Sequence, residues 1–320
     1  MKAIVCTSYG APDVLQLQEV GKPSPKDHEI RIRVAAASVG PSDSAFRQGN
    51  PYLIRLMYGF KKPRHSIPGT ELSGVVDEVG KNVTSFKPGD RVWGLSPSTF
   101  GAHAEYKCLP EKAPLIVQSS AMTSEEAVAL SDGAPTALTF LRDKAKVRPG
   151  QRVLINGASG AVGAYAVQLA KHYGAEVTGV CSGANAALVT SLGADRVIDY
   201  TRTDFTREGR SYDVIFDAVG KRSFGECRGA LASGGIYLTT EPSLSIVFHM
   251  LRTSLSGGKK AMFATAGLMQ NKQNLAYLQE LYERGKLRAV IDRLYPLEQA
   301  AEAHRYVDTG RKKGNVIVTM

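Results

Sequence analysis

The chain has 320 residues, 43% hydrophobic and 22% charged, which excludes a disordered protein and exceeds what one hydrophobic core usually serves. Its net charge is +10, but the basic residues are spread, with short clusters at Lys61-Lys62-Pro63-Arg64, Lys259-Lys260 and Arg311-Lys312-Lys313 and no interleaved aromatics. That pattern reads as solvated surface with a general attraction for anionic cofactors, and it argues against a nucleic-acid interface.

In chain order, Met1-Lys2-Ala3-Ile4-Val5-Cys6 enters a strand at once and leaves no room for a signal peptide. From Met1 to Met122 short alternating strands follow, such as Glu29 to Val34 and Leu72 to Val79. Turns at Pro25-Lys26-Asp27 and Lys87-Pro88-Gly89-Asp90 punctuate them, which predicts an antiparallel, barrel-like β domain. Thr123-Ser124-Glu125-Glu126 opens a helix with a capping box, and a second helix is predicted from Pro135 to Lys144. Cys6, Cys108, Cys181 and Cys227 stand far apart, so they read as reduced thiols and point to a reducing, cytoplasmic setting.

A series of βα units comes next. Strands are predicted at Arg152 to Asn156, Glu176 to Cys181, Arg196 to Asp199, Asp213 to Asp217, Ile236 to Thr240 and Ala261 to Thr265. Helices are predicted at Ala161 to Tyr173, Asn185 to Leu192 and Ser223 to Leu231, with a loop from Ser243 to Lys260. Short apolar strands alternating with helices indicate a doubly wound parallel sheet, so the fold class is α/β. The apolar stretch from Leu244 to Leu251 is too short to span a bilayer, so no membrane insertion is expected. The tail reads as a helix from Asn274 to Arg284, β structure at Ala289 to Ile291, a helix from Leu297 to Val307 and a strand from Asn315 to Val318.

The most informative stretch joins the first of these strands to its helix. Gly157, Gly160 and Gly163 recur every third residue in a strand–turn–helix context, so side chains are missing where a dinucleotide pyrophosphate would approach the backbone. At the end of the second strand, Val177 to Asn185 contains no acidic residue to bond a ribose 2′-hydroxyl, and Ser182 can donate to a 2′-phosphate. NADPH is the expected cofactor.

The order of these motifs resembles the medium-chain dehydrogenase/reductase superfamily, and within it the zinc-free quinone oxidoreductase branch. The resemblance rests on Met1 to Val5, Pro68-Gly69-Thr70-Glu71-Leu72-Ser73-Gly74, Phe86 to Gly94, Gly101 to Tyr106, the glycine turn and Asp213 to Gly220. It implies a GroES-like β-barrel domain over residues 1–122, completed by 286–320, and a Rossmann NADP-binding domain over 123–285. It also implies a homodimer joined edge to edge near Ala261 to Thr265. The cofactor contacts it implies are Thr136, Gly157, Ser159, Gly160, Ala161, Val162, Gly163, Ser182, Tyr200, Ala218, Val219, Gly220, Thr239 and Asn315. Tyr52 is the candidate catalytic residue, donating to the acceptor's carbonyl oxygen, with Tyr58 as an alternative. Gly40, where relatives often carry Asn, implies a roomier pocket, and Asp43 a capping role.

No metal is expected. Ser38 to Asp43 holds no sulfur, and Thr70 stands where zinc relatives carry a histidine. His65 and His103 read as ordinary surface or cleft histidines. Without a Lewis acid, hydride transfer to a quinone or to the C=C bond of an α,β-unsaturated carbonyl is easier than alcohol oxidation. The alternatives are a non-catalytic NADPH-binding protein of structural or RNA-associated role, and a polyketide-type enoyl reductase.

Overall fold

The computed structural model describes the chain apart from Pro97, Ser256, Gly257 and residues 267–269, and apart from the side chains of Leu53 and Met57. Two compact units are present: Met1–Asp132, Gln270–Glu283 and Ala289–Met320 form one, Gly133–Met269 and Arg284–Arg288 the other.

In the first unit β1 (Lys2–Cys6) and β2 (Leu15–Glu19) make an antiparallel hairpin. β3 (Glu29–Val39) buries Ile30, Ile32 and Val34 at alternate positions, the period a half-buried strand requires. Two helices that the strand-and-turn reading did not anticipate come next, α1 (Pro41–Gln48) and α2 (Tyr52–Tyr58). Their start and stop signals are local. The Gly40 N–H donates to Asp43 Oδ2 at 2.8 Å, as expected of a capping Asp, Pro41 needs no N–H at the first position, and Gly49 ends α1 at φ 60. β4 (Glu71–Val79), β5 (Arg91–Leu95), β6 (Tyr106–Pro110) and β7 (Leu115–Val117) add antiparallel strands. Leu72, Val92, Leu109 and Leu115 join the β3 residues in the core, each worth roughly 1.5–3 kcal/mol of burial.

α3 (Ser124–Leu138) opens with the expected capping box: Glu126 accepts from the Thr123 N–H at 2.9 Å, and Thr123 Oγ1 accepts from the Glu126 N–H at 3.2 Å. Contrary to expectation no second helix begins at Pro135. α3 runs through it into a π-helical segment, Thr139–Ala145. Thr139 Oγ1 donates to the Pro135 carbonyl at 3.0 Å, while the missing Pro135 N–H leaves the Ser131 carbonyl without its usual helical donor.

The second unit follows in sequence as β8 (Arg152–Asn156), α4 (Ala161–His172), β9 (Glu176–Cys181), α5 (Ala186–Ser191), β10 (Arg196–Asp199), β11 (Tyr212–Asp217), α6 (Phe224–Cys227), β12 (Leu231–Thr239), α7 (Leu244–Ser254) and β13 (Lys260–Phe263). The six strands are parallel in the order β10-β9-β8-β11-β12-β13, the doubly wound arrangement of a Rossmann sheet. β12 starts five residues before its predicted position, with an irregular register against β11. α7 replaces most of the loop expected from Ser243 to Lys260; Ser256 and Gly257 of that loop lie outside the described residues. Ser243 caps α7, its Oγ accepting from the Ile246 N–H at 3.1 Å.

α8 (Lys272–Glu283), β14 (Ile291–Pro296), α9 (Ala300–Asp308) and β15 (Asn315–Thr319) return the chain to the first unit. β15 pairs antiparallel with β3 and parallel with β14, completing a seven-stranded sheet in the order β14-β15-β3-β4-β5-β7, with β6 on β3. Among the described residues no helix is long and apolar enough to cross a membrane.

Candidate functional site

β8 ends at Asn156, and the chain turns through Gly157 to Gly163 into α4. Gly157 sits at φ 81, a conformation that favours glycine. A Cβ there would lie 2.4 Å from Val219 Cγ1, and one on Gly163 would lie 2.0 Å from the Gly157 carbonyl oxygen. Gly160 differs: its Cβ would meet only that oxygen, at 3.5 Å, so this backbone faces open space. Gly160 also caps α4 without a side chain, which leaves the N–H groups of Ala161, Val162 and Gly163 for an outside acceptor at the positive end of the helix. Ser159 Oγ accepts from Asn185 Nδ2 at 3.0 Å and pins the turn to the loop after β9. The bare backbone at Gly160 and the helix-end donors fit the pyrophosphate of a dinucleotide.

Parallel register brings Ala218, Val219, Gly220 and Thr239 to the same edge of the sheet, whereas Thr136 lies on α3 and Asn315 on β15. Asn156 is opposite Val180 and Asp217, and Asp217 is opposite Thr239. Asp217 is fully buried. It accepts from Asn156 Nδ2 at 2.9 Å, from the Arg222 N–H at 2.8 Å and from the Val219 N–H at 3.3 Å. Burial pushes its carboxyl above the usual range, and these hydrogen bonds oppose the shift. They hold the loop of Ala218, Val219 and Gly220, and the Ala218 N–H donates to the Asn156 carbonyl at 3.1 Å. Thr239 is buried at the end of β12, and its Oγ1 accepts from the Glu241 N–H at 3.2 Å. Thr136 is half-buried on α3, one turn beyond Gly133. A Cβ on Gly133 would lie 2.7 Å from the Ala161 carbonyl, so α3 presses its backbone onto the start of α4. Sequence reasoning passed over Gly133; its signal was a lone glycine inside a helical run.

Ser182 follows β9, and Tyr200 follows β10 with an exposed ring and its N–H on the Cys181 carbonyl at 3.1 Å. β9 itself carries no acid at its end, but Asp199 is paired opposite Cys181 and fills that place. A Cβ on Gly183 would lie 2.5 Å from Asp199 Oδ2. The Thr201 N–H and Oγ1 donate to Asp199 at 3.0 and 2.8 Å, and these bonds hold its carboxyl below the usual range. Arg202 Nε stands 3.8 Å from the same carboxylate. Asp199 is not visible in the sequence of β9; the β9–β10 register reveals it, and Arg202 comes in through its contact with Asp199.

In the first unit Tyr52 opens α2 with its ring 69% exposed and 4.9 Å from the Arg55 guanidinium. Tyr58 packs edge-on against Phe46 and Phe100, with ring centroids at 4.8 and 5.3 Å. Asn315 is fully buried, and its Nδ2 donates to the Val290 carbonyl at 2.9 Å. The extra room expected at Gly40 is taken: a Cβ there would lie 3.1 Å from Asp132 Oδ1.

Where the resemblance implied a comparison with zinc enzymes, Ser38 Oγ and Thr70 Oγ1 both donate to Glu71 Oε2, at 2.6 and 2.8 Å. Desolvation, reinforced by the nearby Asp132 and Asp43, pushes the Glu71 carboxyl up to about 8. The buried Lys312 ammonium lies 3.9 Å from Asp132 Oδ2 and is the cation facing this group. His103 is not a surface residue: it is fully buried, with Nε2 2.8 Å from the Ser38 carbonyl oxygen. His65 stacks on Phe100. Among the described residues no group of three or more His, Cys, Asp or Glu side chains is placed to hold a metal ion.

Known proteins match this chain over nearly its whole length. Residues 26–119 match the family model of the alcohol dehydrogenase GroES-like domain, and residues 192–318 match that of the zinc-binding dehydrogenases. The chain is 32% identical to a 2-methylene-furan-3-one reductase of Solanum lycopersicum, over 99% of this chain and 79% of that protein. It is also 32% identical to a chloroplastic quinone-oxidoreductase homolog of Spinacia oleracea, over 99% of this chain and 98% of that one. Among solved structures, the quinone oxidoreductase of Coxiella burnetii superposes with a TM-score of 0.90 at 29% identity, covering 100% of this chain and 99% of the other.

Proposed function

The chain belongs to the medium-chain dehydrogenase/reductase superfamily, in its quinone-oxidoreductase-like branch of nicotinamide-dependent oxidoreductases, and from that premise we propose that it is an NADPH-dependent, zinc-independent reductase of quinones or of the C=C bond of α,β-unsaturated carbonyls. The observation that carries the acceptor class is the Ser38–Thr70–Glu71 group. Two hydroxyls committed to one carboxyl oxygen offer no thiolate or imidazole, and this donor set does not fit a tetrahedral zinc. With no strong electrophile to hold an alkoxide, an acceptor whose new charge spreads over an enolate or quinol suits the chain better.

The turn from Gly157 to Gly163 would hold the pyrophosphate, with Thr136, Ala218, Val219, Gly220 and Thr239 further along the dinucleotide. Bound there, reduced nicotinamide supplies a hydride. Ser182, Tyr200 and Arg202 would take the 2′-phosphate; Arg202 provides the guanidinium that Gly183 and Ala184 lack. Tyr52 would donate to the acceptor oxygen as it gains charge. Much of the rate would come from positioning the two reactants.

A homodimer through β13 is part of this reading. Among the described residues β13 pairs only with β12, which leaves its other edge open. α7 packs beside it, with Thr253 Oγ1 accepting from the Ala261 N–H at 3.1 Å. Leu244, Phe248, Leu251 and Leu255 are exposed at four- and three-residue spacing, an apolar seam that a second copy would cover. All four cysteines are free, which suits the cytoplasm.

A panel of quinones, enones and alcohols, offered with NADPH and with NADH, tests the proposal. The expected result is NADPH oxidation with a quinol or a C=C-reduced product, insensitive to chelators. Turnover of alcohols alone with loss under chelation would overturn it. Cofactor binding without any turnover would instead favour the non-catalytic alternative.

A further inference from the structure

The glycine turn lies at the carboxyl edge of the second unit's parallel sheet. At the opposite edge, near the start of β8 and β13, there is a concavity of about 400 Å³ with Ile236 and Met262 in its wall. Lys144, Lys146, Arg148 and Lys260 surround it, and no carboxylate lines it. Among the described residues none of these four side chains has an ion-pair or hydrogen-bond partner. Elsewhere in this unit some cations are answered, Lys171 by Asp195, Arg196 by Glu208 and Arg222 by Glu226, while others such as Lys221 and Arg252 stand singly; here four meet around one concavity.

Local structure explains only part of the cluster. Lys144 and Lys146 end the π-helical segment, where positive charge offsets the helix dipole. Arg148 belongs to the following turn and Lys260 to the edge strand, and neither owes its place to that helix end. Lys146 also sits at φ 52, a left-handed conformation that costs a residue with a side chain roughly 1 kcal/mol or more.

We propose that this concavity binds a small molecule bearing a di- or triphosphate. Four unanswered positive charges match the roughly four negative charges of a triphosphate at neutral pH. The volume lies within the range of small-ligand pockets. Ile236 and Met262 offer apolar contact to the uncharged remainder of the ligand. Because the strands separate this site from the glycine turn, both can be filled at once.

The test uses the full chain, with excess NADPH present so that the glycine turn is not the site being read. Inorganic tripolyphosphate and ATP are titrated separately by calorimetry. The triple variant Lys146→Gln, Arg148→Gln, Lys260→Gln should bind both at least about tenfold more weakly. A control with the same charge change, Lys61→Gln, Lys62→Gln, Arg64→Gln, should change by less than about twofold. An unchanged NADPH affinity would show that the variant is folded. Tighter binding of ATP than of tripolyphosphate identifies a nucleotide as the ligand; equal binding identifies the phosphate chain alone. Equal losses in the two triple variants would mean that only the overall charge attracts anions, and the proposal fails. It fails too if the unmodified chain shows no saturable binding, or if the first triple variant merely dissociates a dimer.

Discussion

Gly163 lies so close to Gly157 that a methyl group on its Cα would stand 2.0 Å from the Gly157 carbonyl oxygen. Backbone cannot yield there as a flexible side chain can. Gly163→Ala should lower stability by about 1–3 kcal/mol and abolish dinucleotide binding. Gly160→Ala has room for its methyl group, at 3.5 Å from the nearest atom, yet places it where phosphate oxygens would approach. It should melt within a few degrees of the parent while binding NADPH at least about tenfold more weakly. Thermal melts and cofactor fluorescence titrations separate the two effects. Equal NADPH affinity in Gly160→Ala and the parent would remove the turn from the binding site.

Under the proposed function, cofactor choice turns on Asp199, which ends β10, and Arg202 just beyond it. Asp199 would repel a 2′-phosphate, while Arg202, 3.8 Å from it and largely exposed, would attract one. Arg202→Ala should raise the KM for NADPH about tenfold and leave that for NADH within about twofold. Asp199→Asn should shift the ratio towards NADPH. Steady-state kinetics with both cofactors decide the matter; a parent enzyme that already prefers NADH would refute the assignment.

Glu71 sets a pH dependence of stability. Its carboxyl lies at about 8 in the folded chain against 4.5 as a free side chain. The folded state therefore holds this proton more tightly than the unfolded state. The resulting stability is complete below about pH 4.5 and is lost as pH rises towards 8, a change on the order of a few kcal/mol. Glu71→Gln keeps an oxygen for Ser38 and Thr70 but carries no titrating group. Urea midpoints across this window should fall for the parent and stay nearer level for the variant.

Buried His304 contributes the opposite slope. Burial first, then His103 and Arg47, hold its imidazole well below the usual value. The folded chain resists that proton, so stability from a neutral His304 is present above about pH 6.5 and declines as pH falls below it. His304→Gln should flatten the acid limb of the same urea series, while Glu71→Gln flattens the alkaline limb.

The seam on α7 predicts assembly. Leu251 is 67% exposed and Leu255 92% exposed, so changing both to Glu removes little packing within one chain. The double variant should melt within a few degrees of the parent at high dilution but sediment as a monomer at concentrations where the parent is a dimer. If both sediment alike, the seam takes no part in self-association.

Legibility followed the range of the interactions. α4 and its turn are specified by contiguous residues, since strand, glycines and helix follow without a break from Val153 to Lys171, and they stand where the sequence predicts them. α7 was hidden because Ile246, Val247 and Met250 fill in between Leu244, Phe248 and Leu251 and blur the helical period, and its outer face is exposed rather than packed. α1 and α2 were obscured by the Gly and Pro residues that start and stop them.

From residue order alone came the α/β class, the parallel strand series and the strand, glycine turn and helix from Val153 to Lys171. Each depends on neighbours within about a dozen positions, where backbone preference and hydrophobic period act directly. Tertiary structure alone decided that Asp199 stands beside Gly183, that Gly133 abuts Ala161, and that Glu71, Asp132 and Lys312 share one buried group. Those meetings depend on strand register and on helices packing across long stretches of chain, and no local pattern encodes which distant charges will be desolvated together.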